Sequence, residues 1–565
     1  MLKHLFLVCL TLTLPVKAKK CNNLPPNLDK ITRSVDITKL DLLPLDVING
    51  DDFLRPVVSL TCEEGKTWKN ANGTNFDLPD QVWQITTVPS GWLSPEINTY
   101  KSHADVREAM INSAGVDSHL GRFAFSDSNS YKKLQHTIAT KNRFVTVLSA
   151  FASTTRVDIN PPEGLSLDNH VQDYINTNLN DTYDNNPDAY IKFIERYGTH
   201  YFTTAKFGGC IRVMFEITKD YFYSNENEVD INVKTTYDHL LGEKQGSIDE
   251  KFTKSSVQTV KYYGGDVDIL SKVGFRNWQP SVEKNPWLFS GTVKPISNLI
   301  NNQTIQDSMI KAVKIYEMKS FLNDLRVIIT KAKEKSDNSV INSLHNRVTM
   351  MMTSSKYEEL EVQTLAQDVE EYLTVPSWFS QETQLCLHWS GTSDWHQCGG
   401  GVPQLLCATP NSLTQWYADW TDWRSGGCKM KWGVESKNPP AWFKEVRLCY
   451  QWYAEDNIKQ CGNHKGQTFC AAVNSYTQEY LDDTDNRKGG CKMRWKLQVP
   501  EGAPLWMRAS RLCFNWQENG DIGQCGGGAP REQCAAVNDW TGYYLDDTDN
   551  RKGGCSMRWG IKTSN

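Results

Sequence analysis

Tyr190-Ile-Lys-Phe-Ile-Glu-Arg-Tyr-Gly-Thr-His-Tyr201 is the stretch that decides the fold, because it takes the chain from a helix into a strand. Asn186-Pro187-Asp188 supplies a helix start, with a capping residue, a proline in the first turn and an acid near the positive end. The next apolar residues recur at helical spacing and form one stripe: Tyr190, Phe193, Ile194 and Tyr197. Gly198 then ends the helix, and Thr199-His200-Tyr201 begins a strand. The residues alone therefore predict a helix docked on a long strand.

The predicted strand runs on through Ile211–Ile217, where one face is wholly apolar. Gly208-Gly209 interrupts it, which indicates a bulge or a sharp bend. His200 has no triad partner nearby, and the sequence contains neither Gly-x-Ser-x-Gly nor His-Glu-x-x-His. We therefore expect His200 to be a structural group at the helix-to-strand corner, and we predict no catalytic residue and no enzymatic turnover.

The pattern Tyr-x6-Tyr-Gly-Thr-His-Tyr at 190–201 resembles the signature of the membrane-attack-complex/perforin (MACPF) family. The resemblance covers about residues 22–375, and Gly264-Gly265 matches the family's later glycine pair. It implies an α+β fold, a bent and twisted antiparallel four-stranded sheet flanked by two helical clusters, with hinges at Gly208, Gly209, Gly264 and Gly265. The implied strands are 81–100, 144–159, 201–219 and 256–265, the clusters are 101–143 and 220–255, and the signature helix is 187–200.

The resemblance also implies a mechanism, in which monomers bind target-cell membrane lipids, self-assemble into an arc or ring, and unfurl both clusters into β-hairpins. A spanning strand needs roughly 9–11 residues with one apolar face. The membrane-inserting candidates are Ala114, Val116, Leu120, Phe123 and Phe125 in the first cluster and Val229, Ile231 and Val233 in the second. Ordinary edge strands show similar alternation, so a MACPF-fold binding or structural protein that forms no pores stays open as an alternative.

Residues 1–18 have the features of a secretory signal peptide, with Lys3, an apolar run, and small residues before a cut after Ala18. The mature chain then begins in an oxidising compartment, where disulfides persist. Three sequons, at Asn72, Asn180 and Asn302, are glycosylation candidates. The sequence predicts a secreted extracellular glycoprotein that reaches the target cell membrane on insertion. Its formal net charge of −5 disfavours nucleic acid as a partner.

The C-terminal residues 376–565 contain three repeats, at about 380–440, 443–505 and 507–565, after a helical part at 303–373 and a linker near Pro376. The repeat cysteines keep spacings of 12, 9 and 21: Cys386, Cys398, Cys407, Cys428; Cys449, Cys461, Cys470, Cys491; Cys513, Cys525, Cys534, Cys555. The runs beside Gly-Gly turns predict a mainly β tail, and each copy is expected to be stabilised by its own disulfides. Four cysteines allow three pairings, and zinc is disfavoured because no CxxC is present.

Fourteen of the 19 tryptophans lie in this tail. Six at fixed distances from the cysteines are expected in the core: Trp389, Trp432, Trp452, Trp495, Trp516 and Trp559. Five that break the repeat are candidates for a binding face: Trp395, Trp416, Trp420, Trp423 and Trp540. The tail has 20 Lys and Arg against 20 Asp and Glu, which disfavours a polybasic lipid-docking surface. The repeated Asp-Asp-Thr-Asp-Asn is interpreted as a polar turn in preference to a calcium site, so no metal or other cofactor is predicted.

Cleavage after residue 18 removes Cys9 and leaves 15 cysteines, an odd number. Outside the repeats stand Cys21, Cys62 and Cys210, the candidates for an interchain disulfide, with a buried free thiol as the alternative. A MACPF-like core with a triple cysteine-rich tail also resembles the heavy chains of the apple-snail egg perivitellin toxins. That resemblance implies egg defence and a disulfide-linked lectin-like partner. The sequence thus predicts a secreted pore-forming toxin or immune effector, with a secreted carbohydrate-binding protein as a further alternative.

Overall fold

The computed structural model describes most of the chain after the predicted signal peptide, which itself lies outside the described residues. The described ranges are 19–42, 53–70, 72–87, 95–116, 121–141, 143–242, 246–266, 275–354, 357–391, 404–421, 426–454, 466–484, 489–519, 531–548 and 553–563. Contacts divide the chain into two units, Met1–Phe321 and Leu322–Asn565, and each is described by itself. The division falls far upstream of Pro376, where the sequence predicted a linker.

The first unit combines long strands with mostly short helices. Its strands are β1 (Arg33–Val35), β2 (Phe53–Pro56), β3 (Thr67–Lys69), β4 (Asn75–Asp77), β5 (Val82–Thr87), β6 (Glu96–Tyr100), β7 (Arg143–Ile159), β8 (His200–Thr218), β9 (Ser256–Tyr263) and β10 (Trp287–Pro295). Its helices are α1 (His103–Ala114), α2 (Asn129–Thr140), α3 (Asn169–Asn178), α4 (Pro187–Tyr197), α5 (Lys219–Ser224), α6 (Glu226–Leu240), α7 (Glu250–Ser255) and α8 (Phe275–Val282). Helix α9 (Gln303–Lys335) contains the division between the units.

The central sheet is built on β7 and β8, which pair antiparallel from Arg143↔Thr218 to Asp158↔Thr204. One half of this pair is flanked by β6 and β9, so that β6-β7-β8-β9 is the antiparallel four-stranded sheet predicted from the sequence. The other half is flanked by β5 and β10. Of the strand predicted at 81–100, the structure describes β5 and β6, which pair with opposite halves of β7, while residues 88–94 between them lie outside the described residues.

Helices cover both faces of this sheet, because successive side chains of β7 and β8 point to opposite sides. On one face α1 packs through Val106 and α2 through Leu134 in a core that includes Val147 and Met214. On the other face α5, α6 and α7 share a core with Val213 and other residues of β8. The two helical clusters flanking the sheet, predicted from the sequence, are confirmed.

The second unit contains helices followed by a strand-rich tail. Its helices after α9 are α10 (Ser339–Thr353), α11 (Glu359–Leu373), α12 (Ser377–Glu382) and α13 (Leu505–Arg508). Its strands are β11 (Thr383–Gly391), β12 (Gln404–Ala408), β13 (Tyr417–Thr421), β14 (Gly426–Ser436), β15 (Arg447–Ala454), β16 (Gln467–Ala472), β17 (Tyr480–Thr484), β18 (Gly489–Gln498), β19 (Arg511–Asn519), β20 (Arg531–Ala536), β21 (Tyr544–Thr548) and β22 (Gly553–Lys562). At the expected linker, Pro376 instead precedes α12, whose fully buried Phe379 belongs to the core of the repeats.

The tail consists of three four-stranded sheets, and each sheet takes one strand from another repeat. The sheets have the strand orders β12-β11-β14-β17, β16-β15-β18-β21 and β13-β22-β19-β20. Thus β17 of the second repeat completes the first sheet, β21 of the third completes the second, and β13 of the first completes the third. A unit of about 60 residues buries too little surface alone, and here each repeat also shares strands with its neighbours.

The periodic tryptophans form the centre of the tail, as the sequence predicted. Trp432, Trp495 and Trp559 lie pairwise 5.6, 5.7 and 5.5 Å apart between ring centroids and are each 1% exposed. The other three, at 389, 452 and 516, are also buried. Edge-to-face packing of this kind suits aromatic rings and fixes the three repeats about one centre.

The disulfides of the tail join the first and third cysteines of each repeat across paired strands. The bonds are Cys386–Cys407, Cys449–Cys470 and Cys513–Cys534. Cys428, Cys491 and Cys555 are also disulfide-bonded, and Cys398, Cys461 and Cys525 lie outside the described residues. Of the repeated Asp-Asp-Thr-Asp-Asn, residues 482–484 and 546–548 belong to β17 and β21, and the remaining residues of the predicted polar turn lie outside the described residues.

Candidate functional site

The signature residues form the corner where α4 meets β8. The stripe is fully buried, with Tyr190, Phe193, Ile194 and Tyr197 between 0 and 1% exposed. Gly198 has a φ of 74°, and a Cβ there would lie 2.5 Å from the carbonyl oxygen of Val35. The next backbone N–H, of Thr199, donates to that same oxygen at 2.9 Å. Only glycine fits this approach, so the motif ties the start of β8 to β1.

His200 and Tyr201 are both buried in this corner. His200 Nδ1 lies 2.9 Å from Thr199 Oγ1, and burial lowers the pKa of His200 to about 4. Burial raises the pKa of Tyr201 to about 12. A histidine that stays neutral and a phenol that stays protonated at ordinary pH are suited to packing, in line with the structural role predicted for His200.

The sheet changes its pairing at the two glycine pairs. The β7–β8 register shifts between Ser153 and Thr155, opposite Gly208 and Phe207, so the extra residue lies in β7 opposite the place where the sequence indicated a bulge or bend in β8. A Cβ on Gly264, whose φ is 74°, would lie 2.5 Å from the carbonyl oxygen of Gly208. The candidate hinge glycines are thus brought together, with two backbones closer than any side chain permits.

Trp278 of α8 fills the space that these glycines leave, and sequence reasoning missed it. Its ring is fully buried, and a Cβ on Gly209 would lie 2.5 Å from its Cη2 atom. A Cβ on Gly265 would lie 2.6 Å from its Nε1 atom, which donates to the carbonyl oxygen of Gly264 at 3.1 Å. The only signal in the sequence was an isolated tryptophan after the second glycine pair, with no period to place it.

The first helical cluster, 101–142, is the connection between two paired strands. Strand β6 ends beside the start of β7, with Tyr100 opposite Val145. Ser102 and Asp105 form a capping box that starts α1, and Ser128 caps α2. Of the predicted inserting residues, Ala114, Phe123 and Phe125 are buried, Val116 is half-buried, and Leu120 lies outside the described residues.

Phe125 has an uncommon backbone conformation within this cluster. Its φ is 66°, a left-handed value that is an outlier for a bulky residue. The side chain is 1% exposed, and the backbone N–H donates to the carbonyl oxygen of Ile37 at 2.9 Å. Such a conformation costs on the order of 1–3 kcal/mol and persists because the surrounding core holds it.

The second helical cluster, 219–255, connects β8 to β9 in the same way. Ile217 at the end of β8 lies opposite Ser256 at the start of β9. Asn232 of α6 holds the cluster together, because its side-chain oxygen accepts from Asp249 N at 2.8 Å. Asp249 in turn caps α7 and accepts a hydrogen bond from Tyr221 at 3.0 Å.

The predicted inserting residues of the second cluster lie on different sides of α6. Val229 and Val233 are 0% exposed and pack toward the sheet, whereas Ile231 is 65% exposed. Helical geometry explains this difference, since residues four apart share a face and the residue two positions on lies opposite. In a strand the same three side chains would share one face, because strand side chains alternate with a period of two.

An exposed ion pair links the two clusters. Lys101, which follows β6, pairs with Glu226 at 2.6 Å, and both side chains are about half exposed. The same ammonium lies 4.8 Å from the ring centroid of Phe222. Surface ion pairs of this kind contribute about 0–1 kcal/mol to stability.

The interchain cysteine candidates are corrected by the structure. Cys21 and Cys62 bond to each other, so neither is available to a second chain. Cys210 is a free thiol with 0% exposure in β8, and burial raises its pKa to about 11. A buried thiol that stays protonated is unreactive, so Cys210 fits the alternative of a buried free cysteine.

Two candidate tryptophans of the tail stack against arginines. Trp416 and Trp540 are half-buried, with Arg558 at 4.2 Å and Arg494 at 4.9 Å from the ring centroids. Trp395, Trp423 and the side chain of Trp420 lie outside what the structure describes. The sequon residues Asn72, Asn180 and Asn302 are all exposed, as glycan attachment requires.

Two observations concern metals and membrane spans in the described part of the chain. Two groups there place three potential ligand atoms together, each group a disulfide-bonded cysteine pair with Glu435 or Glu532. Cysteines in a disulfide offer no thiolate, so the donor set does not suit a cation. Across the same residues, every helix falls short of the length or apolar character that a bilayer span requires.

Comparison with known proteins identifies a matching family model and similar proteins. A family model described as the MAC/Perforin domain matches residues 27–325. The perivitellin-2 67 kDa subunit of Pomacea maculata is 32% identical over 554 residues, covering 96% of this chain and 95% of that protein. The corresponding subunit of Pomacea canaliculata is 33% identical over 554 residues, with the same coverage of both chains. Among solved structures, GNIP1Aa from Chromobacterium piscinae aligns with a TM-score of 0.43 and 12% identity, over 86% of this chain and 78% of that chain.

Proposed function

Because the chain belongs to the MAC/Perforin family, we propose that it is a secreted pore-forming toxin that oligomerises on target membranes and inserts two β-hairpins. The observation that carries the proposal is the position of the helical clusters. Each cluster is the connection of an existing antiparallel strand pair, β6–β7 or β8–β9. Unwinding the helices would therefore lengthen two hairpins that the sheet has already started.

The existing registers determine which side chains would share a face. Extending Ile217↔Ser256 pairs odd residues of the first arm with even residues of the second. Val229, Ile231 and Val233 then lie on one face, together with Phe252, while Asp230 and Lys234 lie on the other. Extending Tyr100↔Val145 likewise groups the candidates of the first cluster: Ala114, Val116, Leu120, Phe123 and Phe125. The apolar faces are those expected to contact lipid.

Both clusters are long enough for this conversion. The first contains residues 101–142 and the second residues 219–255, or about 20 residues for each arm. A tilted spanning strand needs roughly 9–11. The surplus leaves room for a stem between the sheet and the membrane and for a turn at each tip.

The bend of the sheet would favour release of the helical clusters from its faces. Trp278 packs against both glycine pairs, so straightening the sheet at Gly208-Gly209 would disturb the core beneath α6. Extension of the first cluster would also release Phe125 from its left-handed conformation. We propose that the glycine pairs act as hinges and that these two strains favour the inserted state.

The remaining parts of the chain receive roles within the same proposal. Residues 19–375 form the pore, residues 376–565 direct the chain to its target, and residues 1–18 direct secretion. A lectin-like partner chain, implied by the resemblance to egg perivitellin toxins, would be attached through none of Cys21, Cys62 and Cys210. Egg defence is the role that this combination would serve.

Dye release from liposomes and electron microscopy of the same membranes test the proposal together. We expect the secreted chain to release an encapsulated dye and to appear as rings or arcs. Membrane binding without release and without rings would instead support a MACPF-fold protein that binds but does not perforate. Non-reducing electrophoresis of the native protein would show whether a second chain is attached.

A further inference from the structure

On the outer face of the second sheet of the tail, two cations of β18 lie beside two aromatic rings. The Arg494 guanidinium carbon lies 4.9 Å from the ring centroid of Trp540 and 4.6 Å from that of Tyr543. Lys496 Nζ lies 5.6 Å from the Trp540 ring. Gln451 accepts a hydrogen bond from Arg494 Nε at 2.6 Å. We call these residues, Gln451, Arg494, Lys496, Trp540 and Tyr543, the basic–aromatic patch.

Neither cation of the patch has a carboxylate partner among the described residues. Arg494 makes its hydrogen bond through Nε, and the described structure shows no protein acceptor for its two terminal nitrogens. Lys496 forms no ion pair within the same part of the chain. Two like charges over one indole ring repel each other, and an anion bound between them would remove that repulsion.

The other two sheets of the tail provide an internal comparison. Lys431 occupies the position of Arg494 in the first sheet and lies 5.5 Å from Tyr476, whose hydroxyl donates to Glu435 at 2.6 Å. Lys429 on the same strand pairs with Glu479 at 3.6 Å.

In the third sheet, Arg558 occupies the position of Arg494 and stacks on Trp416 at 4.2 Å. Lys562, on the same strand, pairs with Glu532. In the first and third sheets Lys429 and Lys562 thus each have a carboxylate partner, whereas the described residues show none for Arg494 or Lys496 in the second sheet.

We propose that the basic–aromatic patch binds an acidic saccharide, a sugar that carries a carboxylate or a sulfate group. The terminal nitrogens of an arginine form a planar fork that matches either group, and Gln451 already fixes the orientation of that fork. Tyr543 is 40% exposed and Trp540 half-buried, so both offer apolar surface for the face of a sugar ring. Lys496 supplies a second charge for the same anion.

A saccharide is favoured over a lipid surface by the number of charges. Docking to anionic lipid through electrostatics takes clusters of about 4–8 basic residues. The patch has two, in a tail whose 20 basic residues are balanced by 20 acidic ones. The inference goes beyond pore formation and does not depend on it, since binding requires no rearrangement of the helical clusters.

Binding of the full-length secreted chain to immobilised saccharides tests the inference. The probes are 3′-sialyllactose for the carboxylate, a heparin-derived octasaccharide for the sulfate, and lactose as the neutral control. The test variant is Arg494→Gln with Lys496→Gln, and its charge-matched control is Lys431→Gln with Lys562→Gln. We expect one acidic probe to bind, lactose not to bind, and the test variant to lose about tenfold or more in affinity. The control is expected to bind like the parent, and salt is expected to weaken binding.

Three results would overturn the inference: no binding of either acidic probe, equal loss in the test and control variants, or capture by phosphatidylserine vesicles without saccharide binding. If the double variant fails to fold, Lys496→Gln alone keeps the test decisive, because the described structure shows no hydrogen bond or ion pair that this change would break. Dye release from saccharide-free liposomes is expected to be unchanged in these variants, so a failure of the pore proposal would be recognised separately.

Discussion

Replacing Ile231 with lysine is expected to block insertion while leaving the folded chain intact. Ile231 lies on α6, the helix whose neighbouring residues Val229 and Val233 are fully buried against the sheet. Its own side chain is 65% exposed. A lysine there therefore reaches water in the folded state, and the free energy of unfolding is expected to change by no more than about 0.5 kcal/mol.

The free-energy cost of Ile231→Lys arises only if α6 becomes a strand in lipid. In the extended register Ile231 shares its face with Val229 and Val233, near the middle of the predicted spanning segment. Lysine on the lipid face near the bilayer midplane costs about 2–4 kcal/mol. That energy corresponds to about 30- to 900-fold less inserted hairpin per subunit, and every subunit of a ring carries the same change.

The matched control is Asp230→Lys, one residue away. Asp230 is also exposed on α6, but in the extended register it lies on the face away from lipid. We expect both variants to be secreted, to melt like the parent and to bind liposomes, whereas only Ile231→Lys loses dye release. Equal leakage from both variants, or equal loss in both, would refute the assignment of the second hairpin.

Three further outcomes are expected. Gly264→Ala should lower the free energy of unfolding, measured in urea, by about 2 kcal/mol or more, because the new Cβ would meet the Gly208 carbonyl oxygen. The control Gly242→Ala, at a φ of 89° with no atom within 4 Å of the new Cβ, should lower it by about 1 kcal/mol. Equal losses in the two variants would contradict the close approach at Gly264. Cys210→Ala should leave non-reducing mobility unchanged, and the native thiol should not react with Ellman's reagent, since it is buried with a pKa raised to about 11; release of a partner chain by this change would count against that assignment. The pKa of His200 is about 4 in the folded chain and about 6.5 in the unfolded chain. Its contribution to the free energy of unfolding, up to about 3 kcal/mol, should therefore be complete above pH 6.5 and be lost as the pH falls toward 4. His200→Gln should reduce this pH dependence of the free energy of unfolding in urea titrations, and an unchanged pH dependence would argue against the assignment.

Local sequence determined the corner of the fold and the presence of the repeats. The spacing of Tyr190, Phe193, Ile194 and Tyr197 indicated which face of α4 is buried, and Gly198 marked its end. The fixed distances of six tryptophans from the cysteines likewise identified the core of the tail. These properties are carried by residues close together in the chain, where helical and repeat periodicities appear directly in the sequence.

Pairing between distant residues was decided by tertiary structure. The sequence showed an odd number of cysteines after the predicted cleavage, but only the folded structure pairs Cys21 with Cys62 and buries Cys210 within β8. Sequence found three repeats, but β17 and β21 each complete the sheet of the preceding repeat. Periodicity tells which side of an element is apolar and not which distant strand or cysteine will meet it.

The candidate functional surfaces follow the same division. Alternation in the sequence grouped Val229, Ile231 and Val233, while the helix α6 buried two of them and exposed the third. The repeat pattern singled out Trp540, but only the folded sheet placed Arg494 over its ring, with no carboxylate partner among the described residues. Strand partners, burial and charge neighbours are set by contacts between segments that lie far apart in the chain, and a period within one segment does not encode them.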